Sequence, residues 1–135
     1  MIQRQDEARD MIRKKVVDYN VQQLSDQVKT PLETVAFVIE EDGEMVGGVS
    51  CTMFWQHLHL DFLWVAEGKR GNQYGMKLLK RIENLAEEKA CRLILLDSFS
   101  FQAPGFYLRQ GYEICGKVDN HPEGHTQYFF QKRLT

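Results

Sequence analysis

The sequence predicts an α/β protein: one mixed sheet of about six strands with helices packed against it. Three patterns predict it. Apolar residues recur at spacings of three and four over residues 75–89, the period of a helix with one buried face. β-Branched and aromatic runs broken by turn residues fill 34–65, as in consecutive hairpin strands. Leu93, Ile94, Leu95 and Leu96 form an unbroken apolar run, as in a strand buried on both faces.

In chain order, residues 6–19 place Ala8, Ile12, Val16 and Tyr19 at helical spacing between charges, and the pattern continues weakly to the break at Pro31. Residues 34–39 predict a strand, Asp42-Gly43 a tight hairpin turn, and 45–55 the returning strand. A second tight turn at Gln56 leads into a strand over 57–65. A Gly- and charge-rich loop at 66–71 precedes the helix over 75–89. After the strand at 93–96 come a short helix over 103–110, stopped by Gly111, and two strands over 112–118 and 126–132.

Composition bounds the function. The chain has 135 residues, 43% hydrophobic and 27% charged, so a single self-sufficient domain over 1–135 is expected. With 17 Lys+Arg against 19 Asp+Glu the net charge is −2, which gives no global reason to expect a nucleic-acid partner. Three widely spaced cysteines, Cys51, Cys91 and Cys115, make neither a disulfide framework nor a C-x-x-C site. Without a leader-like N-terminus or an apolar run near the ~18–20 residues that span a bilayer, a cytoplasmic protein with no membrane partner is expected. Charge is uneven, however. Residues 30–68 carry seven acids and no Lys or Arg, and residues 69–92 carry seven bases against three acids. Such halves suit two differently charged ligands, although a solvated hairpin tip would also explain the acids.

The most informative stretch is Arg70-Gly71-Asn72-Gln73-Tyr74-Gly75-Met76. It joins a strand to a helix. The first helical turn has amide N–H groups without intrahelical partners, at the positive end of the dipole. With Arg70 added, and with Gly71 and Gly75 lacking a Cβ, the loop can seat a pyrophosphate. It is neither a P-loop nor a G-x-G-x-x-G motif.

Further on, Ala103-Pro104-Gly105-Phe106-Tyr107-Leu108-Arg109-Gln110-Gly111-Tyr112 resembles the A-x-x-x-Y-x-x-x-G-F/Y segment of the GNAT superfamily of N-acetyltransferases. Arg70 to Gly75 resembles that family's Q/R-x-x-G-x-G/A loop. The resemblance spans residues 35–134. It implies an acyl-CoA cleft between two splayed central strands, ending at Val65 and Ser98, in a sheet with helices on both faces. Acetyl-CoA is then the co-substrate and a small-molecule amine the acceptor, with no metal. The diphosphate would lie on the amides of Arg70, Gly71, Asn72, Gln73, Tyr74, Gly75 and Met76, and pantetheine near Trp64 and Val65. Gln73 stands where the family has a middle glycine, and a positive φ there would cost on the order of 1 kcal/mol. Ser100 stands where an Asn is frequent. The family's first strand is expected to be missing or vestigial, since only residues 1–4 precede the first helix.

Tyr107 resembles the family's general acid, which would protonate the leaving thiolate. The incoming ammonium must lose a proton. Candidate bases are Asp61, His59, His57, Asp97 and water. By strand alternation Asp61 faces away from Leu60 and Phe62 and shares a side with His59. Phe54, Trp55, Trp64 and Phe101 are candidate walls of the acceptor pocket. His121 and His125 flank Pro122-Glu123-Gly124 in a loop expected to rim the cleft rather than to hold metal. An edge strand expected over 126–132 could pair a homodimer. The acidic, aromatic front half favours a cationic acceptor. Two other readings remain: a scaffold that holds acyl-CoA without efficient transfer, and an acetyltransferase of protein N-termini or lysines.

Overall fold

The computed structural model describes all 135 residues, which fall into two compact units, Met1–Thr30 and Pro31–Thr135. In the first unit a short 3-10 turn at Asp6–Ala8 leads into helix α1, Arg9–Gln22. An i,i+4 ion pair, Lys14 to Asp18 at 2.7 Å, lies along its exposed surface. Residues 1–5 form no strand, as expected.

The second unit is a six-stranded mixed sheet, β1 (Glu33–Glu41), β2 (Glu44–Phe54), β3 (His57–Val65), β4 (Leu93–Phe99), β5 (Glu113–Asp119) and β6 (Thr126–Arg133). Helices α2 (Tyr74–Glu88) and α3 (Pro104–Arg109) complete it. The spatial order is β1-β2-β3-β4-β6-β5. Every pairing is antiparallel except β3 with β4. The β1–β2 turn uses Asp42 and Gly43 at φ 52° and 81°, and the β2–β3 turn uses Trp55 and Gln56 at φ 49° and 60°. Both two-residue loops have positive φ at both positions, the twist that matches antiparallel strands.

β6 lies inside the sheet, between β4 and β5. The edge expected at 126–132 is therefore absent. β1 and β5 are the edges, because the last hairpin inserts its second strand beside β4 and leaves the first outside.

Helix α2 buries Leu78, Leu79, Ile82, Leu85 and Ala86. With Leu58, Leu60, Ile94, Leu96, Tyr107 and Phe130 they form one core on one face of the sheet. Glu83, largely buried, ties this layer together. It pairs with Lys132 at 2.9 Å and accepts the Tyr112 hydroxyl at 3.0 Å.

The β3–β4 pairing is short: only His57↔Leu93, Leu58↔Ile94 and His59↔Leu95. Beyond them β3 stays paired to β2 as far as Val65, and β4 to β6 as far as Phe99. The two central strands thus part after His59 and Leu95, and each presents an unpaired edge to the gap. This is the splay expected from the sequence.

A candidate acyl-transfer cleft

The gap is lined by backbone. The Ala66 amide bonds the Val46 carbonyl at 2.9 Å. By ladder alternation the N–H and C=O of Val65 then point away from β2, into the gap. Arg70 Nε reaches that carbonyl at 3.4 Å. Such groups can pair with the amides of an extended chain laid between the strands.

At the head of the gap the chain turns into α2. The Lys77 amide is the first in this helix with a carbonyl partner, Gln73 O at 3.0 Å. The six amides before it, Gly71 through Met76, donate to no acceptor in the chain. This run of donors at a helix N-terminus can hold a phosphate or diphosphate. Gln73 adopts φ 62°, ψ 20°, so the left-handed turn forms without a glycine. Gly71, at φ 89°, supplies the other turn. A Cβ on Gly75 would stand 3.7 Å from the Phe106 ring and 4.0 Å from Val65 Cγ2, so the first turn of α2 lies between β3 and α3. Asn72 Nδ2 donates to Lys69 O at 3.3 Å. From β1, Glu41 grips both ends of the loop, accepting the Tyr74 hydroxyl at 3.1 Å and pairing with Lys69 at 3.3 Å. Residue type alone gives no signal for Glu41, because its partners are 28 and 33 positions away.

Tyr107 is buried against Phe106, Tyr112 and Phe130, with ring centroids at 5.1, 6.0 and 5.7 Å. Burial, and to a lesser degree the charge of Asp97, pushes its phenol up to about 12. It holds its proton across the neutral range, as a general acid must. Phe106, partly buried, packs on the core.

On the opposite face of the sheet, Asp61 sits in a β-bulge. Ser50 pairs with Phe62 and Cys51 with Leu60, so Asp61 has no counterpart on β2. The extra residue resets the alternation. Leu58 and Leu60 point into the core, and so do Leu63 and Val65, whereas Phe62 and Trp64 are 77% and 49% exposed. Phe62 therefore does not lie opposite Asp61, as plain alternation implied. Both face outward. His59 Nδ1 lies 2.8 Å from Asp61 Oδ1, and Thr52 Oγ1 donates to Asp61 Oδ2 at 2.6 Å. A carboxylate only accepts, so Nδ1 carries the proton and Nε2 of the neutral ring is an available base. Thr52 escaped the sequence reading because only strand register brings it to Asp61.

The other candidates separate. His57 packs on Phe54, with ring centroids 4.5 Å apart, at the closed end of β3, together with Trp55. Phe54 and Trp55 therefore do not wall the open gap. Asp97, outward on β4, accepts Gln127 Nε2 at 3.0 Å. The Ser100 hydroxyl accepts the Thr126 amide at 3.0 Å, and the Ser100 amide bonds Thr126 O at 2.8 Å, tying this residue to β6. No group of three or more His, Cys, Asp or Glu side chains is placed to hold a metal ion. His121 and His125 lie against Phe99 and Phe101.

Comparison with known proteins agrees with this geometry. The profile of the Acetyltransferase (GNAT) family matches residues 4–112. Blasticidin-S acetyltransferase of Streptomyces morookaense is 41% identical over 106 residues, 77% of this chain and 78% of that protein. The crystal structure of an acetyltransferase from Bacillus cereus ATCC 14579 superposes with a TM-score of 0.95 at 50% identity, covering 99% of this chain and 96% of that one. An aminoglycoside 6′-N-acetyltransferase crystallised with coenzyme A shares the fold, with a TM-score of 0.66 at 17% identity over 97% and 93% of the two chains.

Proposed function

Since the chain belongs to the GNAT family of acetyltransferases, we propose that this acyltransferase moves the acetyl group of acetyl-CoA to a primary amine on a small cationic molecule, by direct attack within a ternary complex. The observation that carries this is the run of six unengaged amides, Gly71 to Met76, at the head of the gap between β3 and β4. A diphosphate would sit on those amides beside Arg70. The pantetheine chain would lie along the free edge of β3 at Trp64 and Val65, with Ser100 at the far side.

The thioester then faces two proton-handling groups. His59 Nε2, its tautomer set by Asp61, takes a proton from the acceptor's ammonium group. The freed amine attacks the thioester carbonyl: an N–C bond forms and the C–S bond breaks. Tyr107 gives its phenolic proton to the departing sulfur, and the second proton of the acylated nitrogen restores the Tyr107 phenol, so that CoA leaves as the thiol and the product as a neutral amide. The Val65 N–H, which points into the gap, suits the oxygen that gains charge during attack.

The name of the Streptomyces relative, Blasticidin-S acetyltransferase, supports an amine-bearing antibiotic as acceptor class. Asp61, Asp97 and the exposed Trp64 offer negative charge and a π face to a cation. We place the reaction in the cytoplasm, in one domain over 1–135, with no metal, nucleic-acid or membrane partner. No helix is long and apolar enough to cross a membrane. A homodimer formed by strand pairing would use β1 or β5.

Calorimetric titration with acetyl-CoA, with ATP and NAD as controls, tests the seat, and acceptor-dependent release of CoA thiol tests the transfer. Selective acetyl-CoA binding followed by thiol release with an amine panel is expected. No saturable heat with acetyl-CoA would overturn the assignment of the loop.

A further inference from the structure

Four rings gather where β4 ends at the open mouth of the gap. Phe99, the last residue of β4, stacks on Phe101 with centroids 5.4 Å apart and planes 6° apart. His121 tilts against Phe99 at 6.1 Å, and His125 meets Phe101 edge-on at 4.9 Å. These rings are not part of the core: Phe101 is 58% exposed, and both histidines are exposed.

The cluster is nevertheless held on every side. The β5–β6 turn is closed by His121 N to His125 O at 2.9 Å, His125 N to Pro122 O at 2.8 Å and Gly124 N to Asn120 Oδ1 at 2.8 Å. The segment carrying Phe101 is closed by Gln102 N to Phe99 O at 2.9 Å and Phe99 N to Gln102 Oε1 at 2.7 Å. The two Ser100–Thr126 bonds join it to β6. Exposing a phenyl ring to water is unfavourable by the area it leaves uncovered. Fixing it there in advance lowers the ordering cost of a ligand that covers it.

Phe99 shares the outward face of β4 with Asp97 and Leu95, and Leu95 pairs with His59. At about 3.3 Å per residue the ring stack stands roughly 13 Å along β4 from the position opposite the base. We propose that this stack is the acceptor's docking platform and that the acceptor carries a planar π-ring, set roughly 10 Å from its reacting amine. The proposal rests on the acetyl-transfer reading of the same cleft and adds the chemical class of the acceptor. Phe101 would offer its exposed surface to that ring, and the imidazoles of His121 and His125 would border it.

The test compares 6-phenylhexylamine with decylamine, a ring-free amine of similar length, in two measurements. In the first, NMR follows the imidazole protons of His121 and His125 in the wild-type protein with acetyl-CoA present. The ring-bearing amine should shift them by ring current, and decylamine should not. In the second, the ratio of kcat/KM for the two amines should fall about tenfold in Phe101→Leu, which keeps an apolar side chain and removes the π face. Equal histidine shifts with both amines, or none with either, would overturn the proposal, as would an unchanged ratio in Phe101→Leu. Ring-dependent shifts without acceptor-dependent CoA release would sink the transfer reading and leave the platform standing. Efficient transfer to both amines with no ring preference would do the reverse.

Discussion

Asp61 and His59 share a hydrogen bond of 2.8 Å across the outer face of β3, and the second carboxylate oxygen is held by Thr52 at 2.6 Å. With Nδ1 engaged by Asp61, the neutral ring leaves Nε2 as its free acceptor nitrogen. In Asp61→Asn the amide can instead donate to Nδ1, which shifts the ring's proton to Nε2 and removes the proposed base. We expect kcat/KM for the amine to drop about a hundredfold at pH 7, with acetyl-CoA affinity kept within about threefold. A change of less than twofold would assign proton removal to another group.

Tyr107→Phe keeps the ring that packs on Phe106, Tyr112 and Phe130 and removes only its hydroxyl, so the fold should persist. Turnover is expected to fall by about a hundredfold, while calorimetric affinity for acetyl-CoA stays nearly constant. Wild-type turnover in this variant would remove Tyr107 from the mechanism.

Gln73 holds φ 62° at the start of α2, where a Cβ is unfavourable. Gln73→Gly relieves about 1–2 kcal/mol of left-handed strain and gives part of it back as chain entropy in the unfolded state. A net gain of about 0.5–1 kcal/mol, seen as a rise in Tm of roughly 2–4 °C, is expected. A lower Tm would show that the Gln73 side chain contributes more than its backbone costs.

Two buried phenols predict alkaline sensitivity. Burial raises Tyr107 to about 12, and burial with the nearby Glu83 raises Tyr112 further. The folded state thus holds these protons more tightly than the unfolded chain, whose tyrosines titrate near 10. Their contribution is complete below about pH 10 and is lost as pH climbs through the folded values, by about 1.4 kcal/mol per pH unit for each phenol. Urea unfolding midpoints should be flat from pH 7 to 9 as far as these groups act and should fall between pH 10 and 12. The fall should be shallower in Tyr107→Phe.

The three thiols should react unequally. Cys115 is exposed, whereas Cys51 and Cys91 are buried, and burial pushes Cys51 up to about 11. At pH 8 a disulfide reagent should titrate one thiol per native chain within minutes and three after denaturation. Fast titration of all three in the native protein would mean that the core opens far more readily than its packing implies.

Much of this was legible in the sequence. The 3.6-residue rhythm of α2, the Asp42-Gly43 turn and the apolar run of β4 are local signals; α2 and the turn formed within a residue of where they were expected, and β4 starts at Leu93 as expected but runs on to Phe99. The pairing of an amide-rich helix start at Arg70 to Gly75 with Ala103 to Tyr112 pointed to the acetyltransferase family before any geometry. Local pattern failed where one residue changes the count. The bulge at Asp61 turned Phe62 outward against strict alternation, because a bulge is set by the partner strand's register and not by the bulged residue.

What the sequence by itself determined is the set of elements and the residues they carry: a strand, a glycine-bearing turn, a helix, and a tyrosine on a short helix. What only the tertiary structure decided is which groups meet. Strand order put β6 inside the sheet and β5 at its edge. The three-pair contact of β3 with β4 opened the gap between them. Register brought Thr52 to Asp61, the fold carried Glu41 to Lys69 and Tyr74, and the β5–β6 turn laid His121 and His125 on Phe99 and Phe101. The physical reason is separation along the chain. Propensity and hydrophobic period act over a few residues, whereas these contacts join positions 9 to 40 apart, and only the folded sheet, at the cost of closing those loops, fixes their distances.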